Sequence, residues 1–271
     1  MAEEREYLLG TDDDELARLG FQHQLWAGEA VAAWSRAGFG PGQKLLDVGC
    51  GPGYATLDLA RLVGPAGRVH GVDVSARFVA HLRARAGALG ARNVTAEVLD
   101  LTAADLAEGG FDGAYARWLL CFVRDPAAVV RRVAAALKPG AAFVVWDYLK
   151  YDGLAMSPGD PAFDRVFAAM VESWRATGGD GDVGRRVPRM MIDAGLDVVR
   201  VEPCIRGARP GSPLWQWPRT FYSNFLPALV RGGFITQADA DAFDARWAER
   251  ERDPAAFFST PPQVTIIGVK R

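Results

Sequence analysis

The sequence predicts an α/β chain built on a doubly wound, mostly parallel sheet of seven strands, with helices ahead of it and a helical segment inserted after the fifth strand and before the last. Three observations carry that expectation. Short apolar runs alternate with helix-like stretches from Lys44 to Asp147. A glycine-rich turn, Gly49 to Gly53, joins the first run to the first of those stretches. After Tyr148 the alternation stops, and aromatic-rich stretches lead to a closing apolar run at Val264–Val269.

Each element has a local reason. Met1 to Gly38 reads as helical: Thr11 precedes Asp12, Asp13, Asp14 and Glu15, and a threonine N-cap followed by carboxylates suits the free N–H groups of a helix start. Asp14 then holds the N3 place of a capping-box-like pattern, so the acidic run needs no metal. Leu45–Val48 is a buried strand ended by glycines, and Tyr54–Val63 a helix stopped by Gly64-Pro65. Arg68–Val72 is the second strand, Ser75 caps a helix to about Ala88, and Val94–Leu99 and Phe111–Arg117 are the third and fourth strands. Pro126–Leu137 is a helix with proline at its start and Lys138-Pro139-Gly140 as its stop, before a fifth strand at Ala141–Asp147. Helices follow at Phe163–Thr177, Val187–Ala194, Ser212–Arg231 and Gln237–Arg252, with a strand at Leu196–Cys204. The expected organisation is one domain: residues 1–40 a helical cover, 41–148 the ligand-binding core, 149–271 the remaining sheet plus a helical cap over the substrate.

Composition narrows the function. The 271 residues are 49% hydrophobic and 24% charged, which is globular usage. A net charge of -2 and a pI of about 6.0 lack the basic footprint of a nucleic-acid binder. No apolar run approaches membrane-spanning length, and Met1–Tyr7 is acidic and polar with no signal-peptide apolar region, so a cytoplasmic protein is expected. Cys50, Cys121 and Cys204 are odd in number and scattered, which fits free buried thiols and no metal site. Trp174, Trp215, Trp217, Phe221, Tyr222, Phe225, Trp247, Phe257 and Phe258 are expected mainly to pack helices on the sheet, a few of them lining an apolar substrate pocket.

The chemistry concentrates at Asp47-Val48-Gly49-Cys50-Gly51-Pro52-Gly53, between a strand and a helix. Glycine allows positive φ and close approach of backbone to a ligand. A dinucleotide fingerprint would need a small residue where Tyr54 or Thr56 stands, and Asp47 would repel a pyrophosphate. A sulfonium ligand with an amino-acid head group suits the place better: its ammonium can pair with Asp47, and its carboxylate can sit on loop and helix N–H groups. Asp73 ends the second strand, where an acidic side chain accepts from both ribose hydroxyls. Asp100 ends the third, where a carboxylate can accept from an adenine amino group. An NAD(P)-dependent oxidoreductase is the rival that the strand–glycine–helix unit and Asp73 leave open, and a non-catalytic binding module is the other.

These residues resemble the class I S-adenosylmethionine (SAM) dependent methyltransferases. Asp47 to Gly53 is similar to their first motif, His70 to Ser75 to their second-strand motif, Val98 to Leu101 to their adenine-binding motif, and Phe111 to Asp125 with Leu137 to Ala141 to the stretch around the fourth and fifth strands. The resemblance covers residues 41–148 and is strongest to small-molecule methyltransferases related to ubiquinone and menaquinone biosynthesis enzymes. Tyr7-Leu8-Leu9-Gly10 with Glu15-Leu16 and Gln22 also resembles a subgroup of bacterial methyltransferases. The resemblance implies a Rossmann-like core, SAM as cofactor, and a small organic acceptor, in a monomer or homodimer. It implies cofactor contacts from Asp47, Gly49, Cys50, Gly51, Gly53, Asp73, Val74, Asp100, Leu101 and Arg117, with Tyr7 and Gln22 closing over the cofactor.

Methyl transfer from a sulfonium is an in-line displacement, so alignment and exclusion of water are the main demands. Tyr7, Tyr54 and Trp118 are candidates to face the sulfonium with a ring. If the acceptor needs a general base, His23 is the best placed of the three histidines, and Asp147 and Tyr148 are the alternatives at the end of the fifth strand.

Overall fold

The computed structural model describes residues 13–271; Tyr7 and the proposed Thr11 cap lie outside them. Among the described residues one helix, α1 (Asp13–Arg36), runs where N-terminal helices are expected. Five strands and three helices follow: β1 (Lys44–Val48), α2 (Tyr54–Val63), β2 (Arg68–Asp73), α3 (Ala76–Ala88), β3 (Val94–Val98), β4 (Phe111–Arg117), α4 (Pro126–Ala136) and β5 (Leu137–Tyr148). No helix stands between β3 and β4. The caps are those the sequence signals: the Ser75 hydroxyl accepts from the Phe78 N–H, and Asp125 accepts from the Ala128 N–H with Pro126 in the first turn.

The remaining elements are β6 (Ala155–Ser157), α5 (Pro161–Thr177), α6 (Val187–Asp193), β7 (Leu196–Cys204), β8 (Gly207–Ala208), α7 (Pro213–Arg231), α8 (Gln237–Arg250), β9 (Phe257–Ser259) and β10 (Gln263–Lys270). The main sheet has the order β3-β2-β1-β4-β5-β10-β7. Strands β1 to β5 pair in parallel, while β10 inserts antiparallel between β5 and β7. The order reverses on either side of β1 and β4, so a crevice opens beyond their carboxyl ends.

A second sheet, β6-β9-β8, was not anticipated. Its strands are two or three residues long, too short to show a periodic pattern. It joins segments from Ala155 to Ser259 and carries Phe258 inward.

The core explains the aromatic excess. Trp26 of α1 is fully buried and meets Trp118, Trp146 and Trp217 edge-on, with centroids 5.2–5.8 Å away. In the segment after β5, Phe163, Phe167, Tyr222, Phe243 and Trp247 pack the three helices α5, α7 and α8 against one another. Burying each such ring contributes about 1.5–3 kcal/mol, which suffices to hold helices that make few contacts with the sheet. Among the described residues no helix is long and apolar enough to cross a membrane.

Candidate active site

A cavity of about 460 Å³ opens over the carboxyl ends of β1, β2, β4 and β5 and reaches under α1, α7 and β9. On one side the glycine turn forms its floor. Gly49, Gly51 and Gly53 all take positive φ, at 68°, 53° and 85°. They are not equivalent. A Cβ on Gly53 would meet Leu82 Cδ1 at 2.2 Å, so this glycine lets α2 pack on α3, whereas nothing lies within 4 Å of the place a Gly51 Cβ would take. Gly49, Cys50 and Gly51 line the cavity; Gly53 does not, which corrects its expected contact role to a conformational one. Gly71 of β2 makes room beneath the loop: a Cβ there would lie 3.0 Å from Cys50 Sγ.

The strand-end carboxylates converge on this turn. Asp47 is almost wholly buried, accepts a 2.6 Å bond from the Thr56 hydroxyl, and faces Arg117. Burial outweighs both partners and pushes its carboxyl up to about 6. Asp73 accepts from the Gly51 N–H at 2.8 Å and the Ser75 N–H at 2.9 Å, so it braces the turn as well as facing the cavity; burial raises it too. Asp100 accepts from the Thr102 N–H and hydroxyl at 2.8 and 2.6 Å, and lines the wall with Leu99 and Leu101. Val74 stands half-exposed beside Asp73.

Arg117, at the end of β4, also lines the cavity. Its Nη2 lies 3.1 Å from His23 Nδ1, its Nη1 is buried without a hydrogen-bond partner, and its guanidinium lies over Trp118 at 5.0 Å from the ring centroid. His23 does not reach the cavity. Its Nε2 sits 2.8 Å from Asp58 and its ring stacks on Tyr54. Arg117 can only donate, so His23 Nδ1 accepts and Nε2–H donates to Asp58, leaving no free nitrogen for proton abstraction. His23 thus links α1, α2 and β4.

Asp147 also departs from its expected role. It is 1% exposed and accepts from the backbone N–H groups of Leu120 (2.8 Å), Cys121 (3.3 Å) and Tyr148 (2.8 Å). Burial pushes its carboxyl up to about 6, and it does not line the cavity. Its work is to fasten the turn Leu120–Phe122 to β5. Tyr148 does line the cavity, and burial holds its phenol well above the usual tyrosine range, so it is a neutral donor.

The opposite wall is aromatic. Tyr148, Tyr151, Trp174, Trp217, Phe221, Tyr222 and Phe258 face inward, whereas Trp215, Phe225 and Trp247 serve the helical core and Phe257 is exposed. Tyr54 and Trp118, both considered for a sulfonium contact, line the cavity too. Trp118 takes φ 49°, unusual for a bulky residue, with its N–H held by the Trp146 carbonyl. Gln22 lines the roof, where its Oε1 accepts from Arg18 (3.0 Å) and from Trp217 Nε1 (2.8 Å). Arg18 was missed by sequence reasoning. It forms a buried bidentate pair with Glu15 one turn earlier. The i, i+3 spacing of Glu15 and Arg18 is a visible signal, though on most helices it marks a solvated pair.

Residues 45–140 match the family model described as a methyltransferase domain. An uncharacterized 37.1 kDa protein from a Streptomyces fradiae transposon is 31% identical over 212 residues, 76% of this chain and 60% of its own length. The demethylmenaquinone methyltransferase of Bacillus cytotoxicus is 29% identical over 203 residues, 68% of this chain and 82% of that protein. The chain thus spans less than two thirds of the Streptomyces relative. Geranyl diphosphate C-methyltransferase from Streptomyces coelicolor has the same fold, with a TM-score of 0.60 at 18% identity over 92% of this chain and 80% of that one. Strand order, glycine turn and family match agree: residues 45–140 match a methyltransferase domain, set on a Rossmann-like sheet similar to that of the methyltransferase structures.

Proposed function

We propose that this chain transfers a methyl group from SAM to a small organic acceptor, working as one domain. In this reading α1 covers the cofactor, residues 41–148 bind it, and the helices and small sheet after Tyr148 form the acceptor cap. One observation carries the reading: three strand-end carboxylates and an open glycine turn share a cavity whose far wall is aromatic. Asp47 would hold the ammonium of the head group, Asp73 the ribose hydroxyls and Asp100 the adenine amino group. The backbone at Gly51 would approach the ligand where no side chain intrudes, and Arg117 and the Gln22 amide would supply donors to a carboxylate. When bound, SAM supplies an electrophilic methyl group on a sulfonium. The chain's own part is to align the acceptor with that carbon, which alone can supply up to roughly 7–11 kcal/mol, and to keep water out with aromatic walls.

Calorimetry with SAM and with S-adenosylhomocysteine tests the cofactor assignment. Both should bind at one site, and NADH should not. A folded protein that binds neither nucleoside, or that prefers NADH, sinks the proposal. The relatives named for quinone, phosphoethanolamine and geranyl diphosphate methylation support a small-molecule acceptor while differing in its chemistry.

A further inference from the structure

The cavity divides along the sheet. Next to β1, β2 and β3 its polar groups are Asp47, Asp73 and Asp100. Beyond β4 and β5 its wall is built from Trp118, Tyr148, Tyr151, Trp174, Trp217 and Tyr222. The rings of Tyr148 and Trp217 lie nearly parallel to that of Trp118, at 15° and 24°, with centroids 6.2 and 6.1 Å away. Such near-parallel rings offer a flat π system their free faces and edges to stack against.

The titratable groups on this side are one-sided. Among the described residues, the cavity wall contains no histidine, lysine or glutamate, and its carboxylates are the three strand-end aspartates. Burial pushes the phenols of Tyr148, Tyr151 and Tyr222 above their usual range, so at neutral pH they donate and do not take protons. Cations are present. Arg18 is neutralised by Glu15, but Arg117 and Arg124 line the cavity with no salt bridge to a carboxylate among the described residues. Arg124 is exposed at the rim, where its Nε donates to the Thr177 carbonyl at 3.2 Å, leaving the rest of its fork for a ligand.

We propose that the acceptor is a flat aromatic anion, and that its nucleophile is an oxygen already ionised in solution, a carboxylate or an acidic phenolate. This rests on the methyl transfer proposed above. The oxyanion's lone pair forms the new C–O bond as the C–S bond to the departing sulfur breaks. The electron pair of that bond goes to sulfur, and no proton changes hands. An aliphatic amine would arrive protonated, with a pKa of about 10, and would meet cations and neutral phenols but no base. Arg124 at the rim reads the acceptor's negative charge.

Asp47 and Asp147 ionise near 6, so the test is run above about pH 6.5, where both are charged. The probes are hydroxynaphthoic acid, naphthol and phosphoethanolamine, titrated into protein loaded with S-adenosylhomocysteine and incubated with SAM for turnover. Hydroxynaphthoate should bind and be methylated on oxygen, at a rate flat from about pH 6.5 to 9, because a carboxyl group near 4 is fully ionised there. Naphthol turnover should rise over the same range toward its own phenol ionisation near 10. Arg124→Gln should weaken hydroxynaphthoate binding at least about fivefold, leave naphthol binding unchanged, and leave SAM affinity unchanged. The inference is overturned if the SAM-competent protein fails to bind hydroxynaphthoate, if phosphoethanolamine is the probe methylated, if both aromatic probes share one pH profile, or if Arg124→Gln affects both equally. Failure of SAM itself to bind is a separate result, which removes the methyltransferase reading beneath it.

Discussion

Asp47 is a buried carboxyl held near 6 by its surroundings, next to Arg117 and a hydroxyl that donates to it. Burial disfavours its charged form, and a ligand ammonium would favour it, so cofactor binding should be linked to proton release. The sign is fixed. Below about 6 Asp47 is protonated in the free protein, and ionising it costs affinity. SAM affinity should therefore be level above pH 7 and fall by up to about tenfold per unit below 6, with protons released on binding in that range. Calorimetry from pH 5 to 8 in buffers of different ionisation enthalpy reads both, and a level affinity across the range removes Asp47 from the head-group site. Asp73 is more entangled, because it also braces Gly51 and Ser75. Asp73→Ala should weaken SAM by about 1.5–3 kcal/mol, roughly ten- to a hundredfold, through lost charge-assisted hydrogen bonds. Asp73→Asn keeps one acceptor for the backbone but sets its amide NH2 against the other N–H, so it should recover part of the fold stability without recovering affinity. If it recovers both, the carboxylate's place is in the turn alone.

At the level of elements, Asp147 and Gly53, both expected at the chemistry, prove to shape the scaffold. Asp147 satisfies the N–H groups of Leu120, Cys121 and Tyr148. Asp147→Ala leaves these buried donors unmet and should cost at least about 2 kcal/mol in urea unfolding. Unchanged stability with lost turnover would return Asp147 to the reaction. Gly53→Ala should be at least as damaging, since it combines a φ of 85° with a 2.2 Å clash against Leu82. The same two residues mark where the sequence is legible. Apolar runs disclosed β1, β2, β4 and β5, because an inner parallel strand is buried on both faces and must end at the crevice, and alternation disclosed the edge strand β3. Asp47, Asp73 and Asp100 were legible for the same reason. Asp147 ends a strand in the same way, yet turns back into the protein, and nothing in a one-dimensional pattern tells an inward carboxylate from an outward one. Arg18 and the β6-β9-β8 sheet were not legible, since one depends on a contact between α1 and α7 and the other on strands of two or three residues.

Across the whole molecule, the roof of the cavity belongs to two distant parts of the chain. Gln22 of α1 accepts from Trp217 of α7, 195 residues away, and from Arg18. Arg18 is locked by Glu15, and its guanidinium lies 5.7 Å from the centre of the Phe221 ring. A ligand beneath this bridge contacts both helices, so binding should stabilise them together. At a hundred times its dissociation constant, a ligand specific for the native state adds about 2.7 kcal/mol of stability. Part of that should appear as slowed amide exchange in α1 and α7 at once, although the proposed cofactor contacts lie mostly on β1 to β3. Trp217→Phe keeps the ring in the wall but removes the donor to Gln22, a bond worth about 1 kcal/mol. With SAM bound, exchange in α2 and α3 should slow in the variant as in the wild type, whereas protection of α7 should fall behind that of α1. If α1 and α7 remain protected in step after the bond is gone, packing of Trp26 against Trp217 joins them, and the Gln22 bridge is incidental.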